Sequence, residues 1–185
     1  MARLFIGIAL PAAYQERVHP FTQALGNDLA SSVNWTRPGN WHLTLKFLGD
    51  TDEARIPAIM DALETVDLRA FPLQAGGAGT FPNPQRPKVL WLGLKQGARE
   101  CEALAQAVED TLAAIGLSKE KKRFRPHLTL GRVRRDHDDN WQAVLDKAAS
   151  KDWPAFTVDH FILWQSQLAP TGAVHTAVAQ FSLRK

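Results

Sequence analysis

The tetrapeptide His-Leu-Thr-Leu occurs twice in this chain, at residues 42–45 and 127–130. The two copies lie 85 positions apart (127 − 42), and the same offset relates Leu4 to Val89 at the start of two apolar segments. Strand-like and helix-like patterns then recur in the same order. A repeat this long predicts two similar α+β units stacked as one molecule, rather than a solenoid of short repeats.

Each half of the chain shows the order strand, helix, motif-bearing strand, helix, strand. Alternating apolar residues predict the strands, and apolar residues at helical spacing predict the helices. The glycine- and proline-rich segment 76–87 is predicted to be the loop that joins the halves. We expect strands at 3–10, 42–49, 89–95, 127–133, 156–165 and 174–183, and a further strand from Phe71 onward. We expect helices at 52–66, 98–115 and 141–149, and a further helix that begins at Pro11.

The length and composition fit one globular domain. The chain has 185 residues, of which 45% are hydrophobic and 22% charged, so it is long enough to bury a substantial core. We predict a single bilobal α+β domain over residues 1–185, with repeats at about 3–80 and 88–165 and a C-terminal strand region at 174–183. Each lobe is expected to hold an antiparallel-rich sheet with helices outside it, and a groove is expected between the lobes.

The repeated motif places polar and apolar residues on opposite faces of a strand. Because successive side chains of a strand alternate, His42 and Thr44 share one face and the neighbouring leucines share the other. His127 and Thr129 repeat this arrangement in the second half. The leucines are expected to anchor each strand in a core, while the imidazoles and hydroxyls line the groove.

A pair of imidazoles is suited to acid–base chemistry near neutral pH. A single histidine in a strand is more often a packing or surface residue, but two copies at equivalent positions favour a shared site. If His42 and His127 flank one phosphorus atom, one removes a proton from the attacking hydroxyl or water and the other protonates the departing oxygen. Threonine hydroxyls donate to the nonbridging oxygens. No cysteine or histidine cluster has the spacing of a zinc site, so we expect neither a metal nor a cofactor.

Four segments of the sequence carry a resemblance to a known family. They are RLFIGIALP, HLTLKFLG, VLWLGL and RPHLTLGRV, and the resemblance runs over nearly the entire chain. Together they resemble the two-histidine phosphoesterase superfamily, specifically its bacterial and archaeal RNA 2′,3′-cyclic phosphodiesterases, first described as 2′-5′ RNA ligases. The resemblance implies hydrolysis of an RNA 2′,3′-cyclic phosphate to a 2′-phosphomonoester. It also implies that His42 is the proton donor, that His127 is the proton acceptor, and that Thr44 and Thr129 bind phosphate.

The resemblance also indicates the partners and leaves two alternatives open. It implies RNA with 2′,3′-cyclic phosphate termini as substrate, with tRNA fragments and cyclic nucleotides as narrower candidates. Similar enzymes also join RNA ends through a 2′-5′ linkage, so ligation of tRNA-half-like substrates is one alternative. The other is a noncatalytic nucleotide- or RNA-binding module that uses the same groove, which predicts saturable binding without turnover.

A basic segment flanks the second motif. Residues 119–135 include eight lysines and arginines and a single acid. A solvated loop is the plainer interpretation, but the position beside the motif makes Arg123 and Arg125 candidates for binding RNA phosphates. Arg132 is a candidate phosphate ligand, because the resemblance places an arginine after the second motif. Simple alternation puts Arg132 opposite His127, so reaching phosphate requires strand-end curvature or a bulge.

Three aromatic side chains near these elements have open roles. Trp35 and Trp41 precede the first motif, where an indole either packs in the core or stacks on a terminal base, and Trp35 is retained as an RNA-binding candidate. Near the C-terminus the family commonly shows a tyrosine after a glycine, whereas this chain has His175 after Gly172. We expect His175 to be a strand or groove residue rather than a third catalytic group.

The remaining features bear on the cellular compartment. Cys101 is the single cysteine, so no internal disulfide forms, and its helical context predicts burial. The N-terminal apolar run is short and predicts a strand rather than a signal peptide or membrane span. A formal net charge of +3 is only mildly basic. We therefore predict a cytoplasmic monomer that does not associate with membranes.

Overall fold

The computed structural model describes residues 1–169 and 172–185. None of the helices in this part of the chain has the length and hydrophobicity needed to cross a membrane. The helices are α1 (Ala12–Asp28), α2 (Ile56–Glu64), α3 (Ala98–Ala114) and α4 (Trp141–Ala149), with a short 3₁₀ turn at Glu53–Arg55 before α2. The strands are β1 (Ala2–Ala9), β2 (Ser32–Trp35), β3 (His42–Thr51), β4 (Phe71–Phe81), β5 (Val89–Gln96), β6 (Leu128–Arg135), β7 (Ala155–Val158), β8 (His160–Ala169) and β9 (Gly172–Ser182).

The strands form one curled antiparallel sheet in the order β7-β4-β5-β6-β3-β1-β8-β9, and β2 pairs with β6 beside this path. The two motif strands, β3 and β6, meet at the centre through one residue pair, Leu43 with Leu128. Two similar half-sheets therefore extend from this junction, β3-β1-β8-β9 on one side and β6-β5-β4-β7 on the other. The expected α+β fold with two lobes is confirmed, and the half-sheets are continuous where the lobes join.

The helices pack across the two halves of the chain rather than within them. Helix α1 lies against β4 and β7, where the buried Tyr14 hydroxyl accepts a hydrogen bond of 2.8 Å from the Ala75 N–H and the Tyr14 ring stacks on Trp153. Helix α3 lies against β3, where Glu109 pairs with Lys46. Each lobe thus contains elements from both halves of the sequence, which ties the lobes together. The repeat boundaries themselves stay a prediction.

The leucines of both motifs lie in the core, on the face of the strand away from the histidines. Leu43, Leu45, Leu128 and Leu130 are 0, 4, 2 and 1% exposed. Burial of one leucine side chain stabilises the fold by roughly 2 kcal/mol. A slip of either strand by one residue would exchange these leucines for the polar side chains, so the burial fixes the register of the motif.

The glycine-rich start of segment 76–87 is strand rather than the predicted loop, because β4 continues to Phe81. Gly79 lies so close to the Trp91 ring of β5 that a Cβ at this position would be 2.2 Å from an indole carbon. Glycine is therefore needed at position 79 for close packing between two strands. Glycine commonly has this role inside strands. Composition alone does not distinguish that role from a turn.

Two further boundaries differ from the sequence-based expectation. The four residues Ser32–Trp35 form β2, although they lie in a segment that the sequence presents as a connector. The strand expected at 156–165 is divided at Asp159 into β7 and β8. The division has a topological reason, because β7 pairs with β4 in one half-sheet and β8 pairs with β1 in the other.

Candidate active site

A groove of about 1520 Å³ lies along the junction of β3 and β6. Its walls include residues from both half-sheets, from the loop after β2 and from the segment before β6. All of the residues that the sequence analysis selected line this groove: His42, Thr44, His127, Thr129, Arg132, Arg123, Arg125 and Trp35. The fold therefore brings together residues that are far apart in the sequence.

Both motif histidines are held in the same way by the main chain. The Nδ1 atom of His42 lies 2.7 Å from the Asn40 carbonyl oxygen, and that of His127 lies 2.6 Å from the Arg125 carbonyl oxygen. A carbonyl oxygen only accepts hydrogen bonds, so Nδ1 carries the proton in both rings. The neutral imidazoles therefore keep Nε2 unprotonated and available to a ligand, and the orientation of each ring is fixed.

The two imidazoles differ in how strongly their surroundings oppose a positive charge. Burial lowers the pKa of His42 to about 4, against a smaller raising effect of the Asn40 hydrogen bond, and the positive charges of His175 and His127 lower it further. Burial also lowers the pKa of His127, the Arg125 hydrogen bond raises it, and the charge of Arg132 lowers it. Both rings are neutral at pH 7 in the free protein. An anion bound between them would favour protonation of either ring.

Each motif strand contains a β-bulge immediately after its threonine. In the β1–β3 pairing Gly7 faces Thr44 and Ile6 faces Lys46, which leaves Leu45 as the extra residue. The β5–β6 pairing has the same irregularity at Leu130. A bulge reverses the alternation that follows it, so the residue five positions after each histidine returns to the groove face.

The residues that the bulges redirect are Arg132 and Phe47. Arg132 lines the groove. The bulge at Leu130 is the feature that this placement was expected to require. Phe47 occupies the equivalent position after the first motif, lines the same groove and is 67% exposed, with its ring 6.1 Å from that of Phe5. The sequence analysis missed Phe47, although its equal distance from the motif histidine was a usable signal.

The sequence matches the 2′-5′ RNA ligase superfamily over residues 15–169. This chain belongs to that superfamily. It is 33% identical to the RNA 2′,3′-cyclic phosphodiesterase of Archaeoglobus fulgidus, covering 97% of this chain and 99% of that protein. It is 30% identical to the protein of the same name from Aquifex aeolicus, covering 99% and 98%. The resemblance inferred from the four sequence segments is confirmed.

A solved structure shares the fold of this 2′-5′ RNA ligase superfamily member over its full length. The crystal structure of Escherichia coli LigT complexed with 3′-AMP superposes with a TM-score of 0.80 at 25% identity. The alignment covers 100% of this chain and 99% of the LigT chain. The lobed sheet and the groove between its halves thus follow a known architecture.

Basic side chains surround the groove of this superfamily member. The Arg123 side chain is 85% exposed, and its contact of 3.9 Å with Glu102 is a surface ion pair that contributes little stability. Arg125 is also exposed at the groove. The sequence analysis missed two further arginines of the lining, Arg3 on β1 and Arg37 after β2. The groove therefore presents positive charge from several sides.

A buried ion pair anchors the basic segment to the strand that carries His42. The Lys46 ammonium donates hydrogen bonds of 2.8 and 2.7 Å to the Glu109 carboxylate and one of 3.0 Å to the Ser118 carbonyl oxygen. Glu109 also accepts a hydrogen bond of 3.2 Å from the Glu120 N–H. The start of the basic segment is therefore tied to both β3 and α3.

The two tryptophans before the first motif have different surroundings. Trp41 is 2% exposed, so it packs in the core and is not available to stack on a base. Trp35 is half-buried at the groove, and its ring lies over Gly131, where a Cβ would be 3.0 Å away. Much of the Trp35 surface is therefore used in packing, and only its groove edge is free for a ligand.

The third imidazole at the groove is that of His175 on β9. Its ring centroid is 5.3 Å from that of His42, and the two rings are nearly perpendicular at 87°. His175 is thus a groove residue, as expected, and it lies beside the histidine of the first motif. No group of three or more His, Cys, Asp or Glu side chains is arranged to hold a metal ion within residues 1–169 and 172–185.

Proposed function

We propose that this protein hydrolyses 2′,3′-cyclic phosphodiester ends of RNA to 2′-phosphomonoesters, with His42 and His127 as the acid and the base. The observation that carries the proposal is the matched pair of imidazoles, each fixed through Nδ1 by a main-chain carbonyl and each lining one groove. The names of the Archaeoglobus fulgidus and Aquifex aeolicus relatives support the same activity.

The proposed reaction uses both imidazoles in one displacement at phosphorus. Neutral His127 takes a proton from water through Nε2, and the water oxygen forms a new bond to phosphorus. The bond from phosphorus to the ribose O3′ breaks, and protonated His42 gives its proton to that oxygen. His127 ends protonated and His42 ends neutral, so the solvent returns both to their starting states. The assignment of His42 as the acid and His127 as the base is the one that the family resemblance implies.

The environment of His42 makes its protonation depend on the substrate. Burial lowers its pKa to about 4, so the ring is neutral in the free protein at pH 7. The negative charge of a bound phosphodiester favours the imidazolium, so substrate binding raises the pKa of His42 towards the range in which it can act as the acid. Substrate binding and protonation of His42 are therefore coupled, and the His42 ring is uncharged while the groove is free.

The remaining groups hold the phosphate and the nucleotide. The Thr44 and Thr129 hydroxyls donate to nonbridging oxygens, and the Arg132 guanidinium offsets the charge that develops on them. Phe47 offers an exposed ring face on which a base can stack. Arg123 and Arg125 extend the positive surface along the groove, which favours an RNA chain over an isolated cyclic nucleotide.

Several finer statements belong to the same proposal. RNA is the proposed substrate class, with tRNA fragments as one candidate source of such ends. A monomeric state and a cytoplasmic location are retained from the sequence analysis as predictions. Ligation through a 2′-5′ linkage is the second candidate activity, because an RNA hydroxyl in place of water gives the same displacement, and the groove of about 1520 Å³ has room for a second strand end.

In the test, the purified protein is incubated in the presence of EDTA with RNA that bears a 2′,3′-cyclic phosphate and a free 5′-hydroxyl. We expect a 2′-phosphomonoester product, identified by its resistance to a 3′-specific phosphatase and its mass. His42→Ala and His127→Ala should each reduce turnover by at least about 10²-fold while the protein stays folded. Accumulation of joined RNA would favour the ligase alternative, and saturable RNA binding without any product would favour the noncatalytic module. Near-normal hydrolysis by either histidine variant would contradict the assigned chemistry.

A further inference from the structure

The groove contains an imidazole that the proposed reaction does not use. His175 contacts both His42 and Phe5, with ring centroids 5.3 and 4.9 Å away, and Phe5 in turn lies 4.6 Å from the His42 ring. The three rings therefore form a closed triangular cluster, in which Phe5 and His175 contact each other and both contact the His42 ring. The ring of His127 has different neighbours, Phe81 and Trp91, which carry no charge.

The position of His175 relative to His42 is fixed by the main chain. The Asn40 carbonyl accepts the hydrogen bond from His42, and the Asn40 side chain donates one of 2.6 Å to the Ala173 carbonyl on β9. His175 follows Ala173 by two residues on the same strand and pairs across the ladder with Ser166. One residue thus links the strand of the third imidazole to the segment that orients the first.

The two ring nitrogens of His175 lie in different surroundings. Among residues 1–169 and 172–185, Nδ1 of His175 has no hydrogen-bond partner and is inaccessible to solvent. A proton on both nitrogens would leave a buried donor unsatisfied, so this arrangement favours the neutral ring. Burial accordingly lowers the pKa of His175, although less of this ring than of His42 is buried.

The neighbouring elements do not offset a charge on His175. Of the groups that face it, β3 presents His42, β1 presents Phe5 and β8 presents Ser166. The loop after β2 presents Arg37, whose guanidinium is within 4 Å of the Cβ position at Gly172, near the start of β9. A proton on His175 is thus close to His42, which becomes positive in the proposed reaction, whereas Arg37 lies three residues away along β9, at Gly172.

We propose that His175 is a positioning residue for His42: its neutral ring packs together with Phe5 against the His42 imidazole, and its protonation opposes the charge that His42 needs as the acid. This inference rests on the proposed function, since it assigns a consequence to the acid role of His42. Loss of a proton from His175 then becomes a requirement for turnover in addition to the neutral state of His127. Below the optimum pH, kcat/KM should therefore fall more steeply with decreasing pH than protonation of a single group would allow.

The test compares His175→Phe, which keeps an aromatic ring without its charge, with His175→Ala, which removes both. His160→Phe is the matched control, because His160 on β8 does not line the groove. The kcat/KM for an RNA 2′,3′-cyclic phosphate is measured from pH 4 to 9 and normalised to the optimum of each protein. One pH unit below the midpoint of His175 protonation, H175F should retain roughly five- to tenfold more of its optimal activity than wild type or H160F.

The ring-holding part of the proposal has its own readout. At the optimum, H175A should have a kcat about tenfold below that of H175F, because the His42 ring then loses one of the two rings that pack against it. Circular dichroism and thermal unfolding establish that each variant is folded. Equal kcat values for H175A and H175F would overturn this part, and identical acid limbs for wild type and H175F would overturn the electrostatic part.

A ¹⁵N titration of the histidine rings separates this inference from the proposed function. The His42 resonance should titrate at higher pH in H175F than in wild type, because a like charge has been removed from its vicinity. If this shift occurs while no protein hydrolyses the cyclic phosphate, the coupling stands and the proposed function fails. If hydrolysis is normal and His42 titrates at the same pH in both proteins, the proposed function stands and the coupling is refuted.

Discussion

Replacing Lys46 by methionine tests how the basic segment of the groove is held. The Lys46 side chain is 5% exposed and its partner Glu109 is 15% exposed, so the substitution leaves a largely buried carboxylate without its cation. Loss of one partner of a buried ion pair costs about 3–5 kcal/mol. For a chain of this size that free energy lowers the melting temperature by on the order of 10 °C. Urea unfolding and calorimetry measure the two quantities.

A double variant separates the loss of the pair from the loss of packing. K46M with E109L removes both charges and replaces them by apolar side chains, which is often neutral for stability. We therefore expect the double variant to recover most of the stability that K46M loses. Lys119→Met is the control, since Lys119 and Asp110 form an ion pair with 55 and 53% exposed side chains, which should contribute little to stability.

The same substitution has a consequence for substrate binding. Lys46 also donates to the Ser118 carbonyl at the start of the basic segment, whereas the histidines are fixed by other carbonyls. K46M should therefore raise KM for RNA more than it lowers kcat, measured below the unfolding temperature of the variant. A K46M protein within about 1 kcal/mol of wild type, or a double variant no more stable than K46M, would refute the reasoning.

Three further predictions concern the groove. Arg132→Ala should lower kcat/KM for the cyclic phosphate by about 10²–10³-fold. Arg132→Lys should retain more activity than Arg132→Ala but less than wild type, because a lysine cannot make a bidentate contact with phosphate. Steady-state hydrolysis measures both effects. Phe47→Ala should raise KM by roughly 5- to 100-fold without lowering thermal stability, because the 67% exposed ring contributes stacking rather than core packing; F47Y should behave like wild type. The pKa of His42 is about 4 in the folded protein and 6.5 when unperturbed, so its neutral form contributes stability above pH 6.5 that is lost as pH falls towards 4. Between pH 7 and 4.5 wild type should lose roughly 2.4 kcal/mol more unfolding free energy than His42→Phe, and equal losses would contradict the low pKa.

Much of the site follows from the alternation of side chains in a strand. Sequence alone places His42 with Thr44 and His127 with Thr129, because the leucines between them define the buried face. It also shows that Arg132 needs a bulge to reach that site. The bulge itself is not predictable from the pattern, since it depends on how β5 pairs with β6. Phe47 was missed for that reason, because its own bulge depends on the pairing with β1.

The features that sequence analysis did not recover are those set by tertiary pairing. Gly79 suggests a turn by composition, but it is required where β4 packs on Trp91. Asp159 divides a strand only because the chain there passes from one half-sheet to the other. Trp41 and Trp35 are close in sequence, yet one is in the core and the other at the groove. Local propensity carries no information about any of these distinctions.

The acceptors that orient the two imidazoles belong to the backbone, and this affects how the site tolerates mutation. Any amino acid at positions 40 and 125 offers the same carbonyl oxygen to Nδ1, as long as the path of the chain is unchanged. The side chain at position 125 is therefore free to diverge without altering the His127 tautomer, whereas the Asn40 side chain also links this segment to β9 through the Ala173 carbonyl. The orientation of both rings is thus a property of the path of the backbone rather than of particular neighbouring side chains.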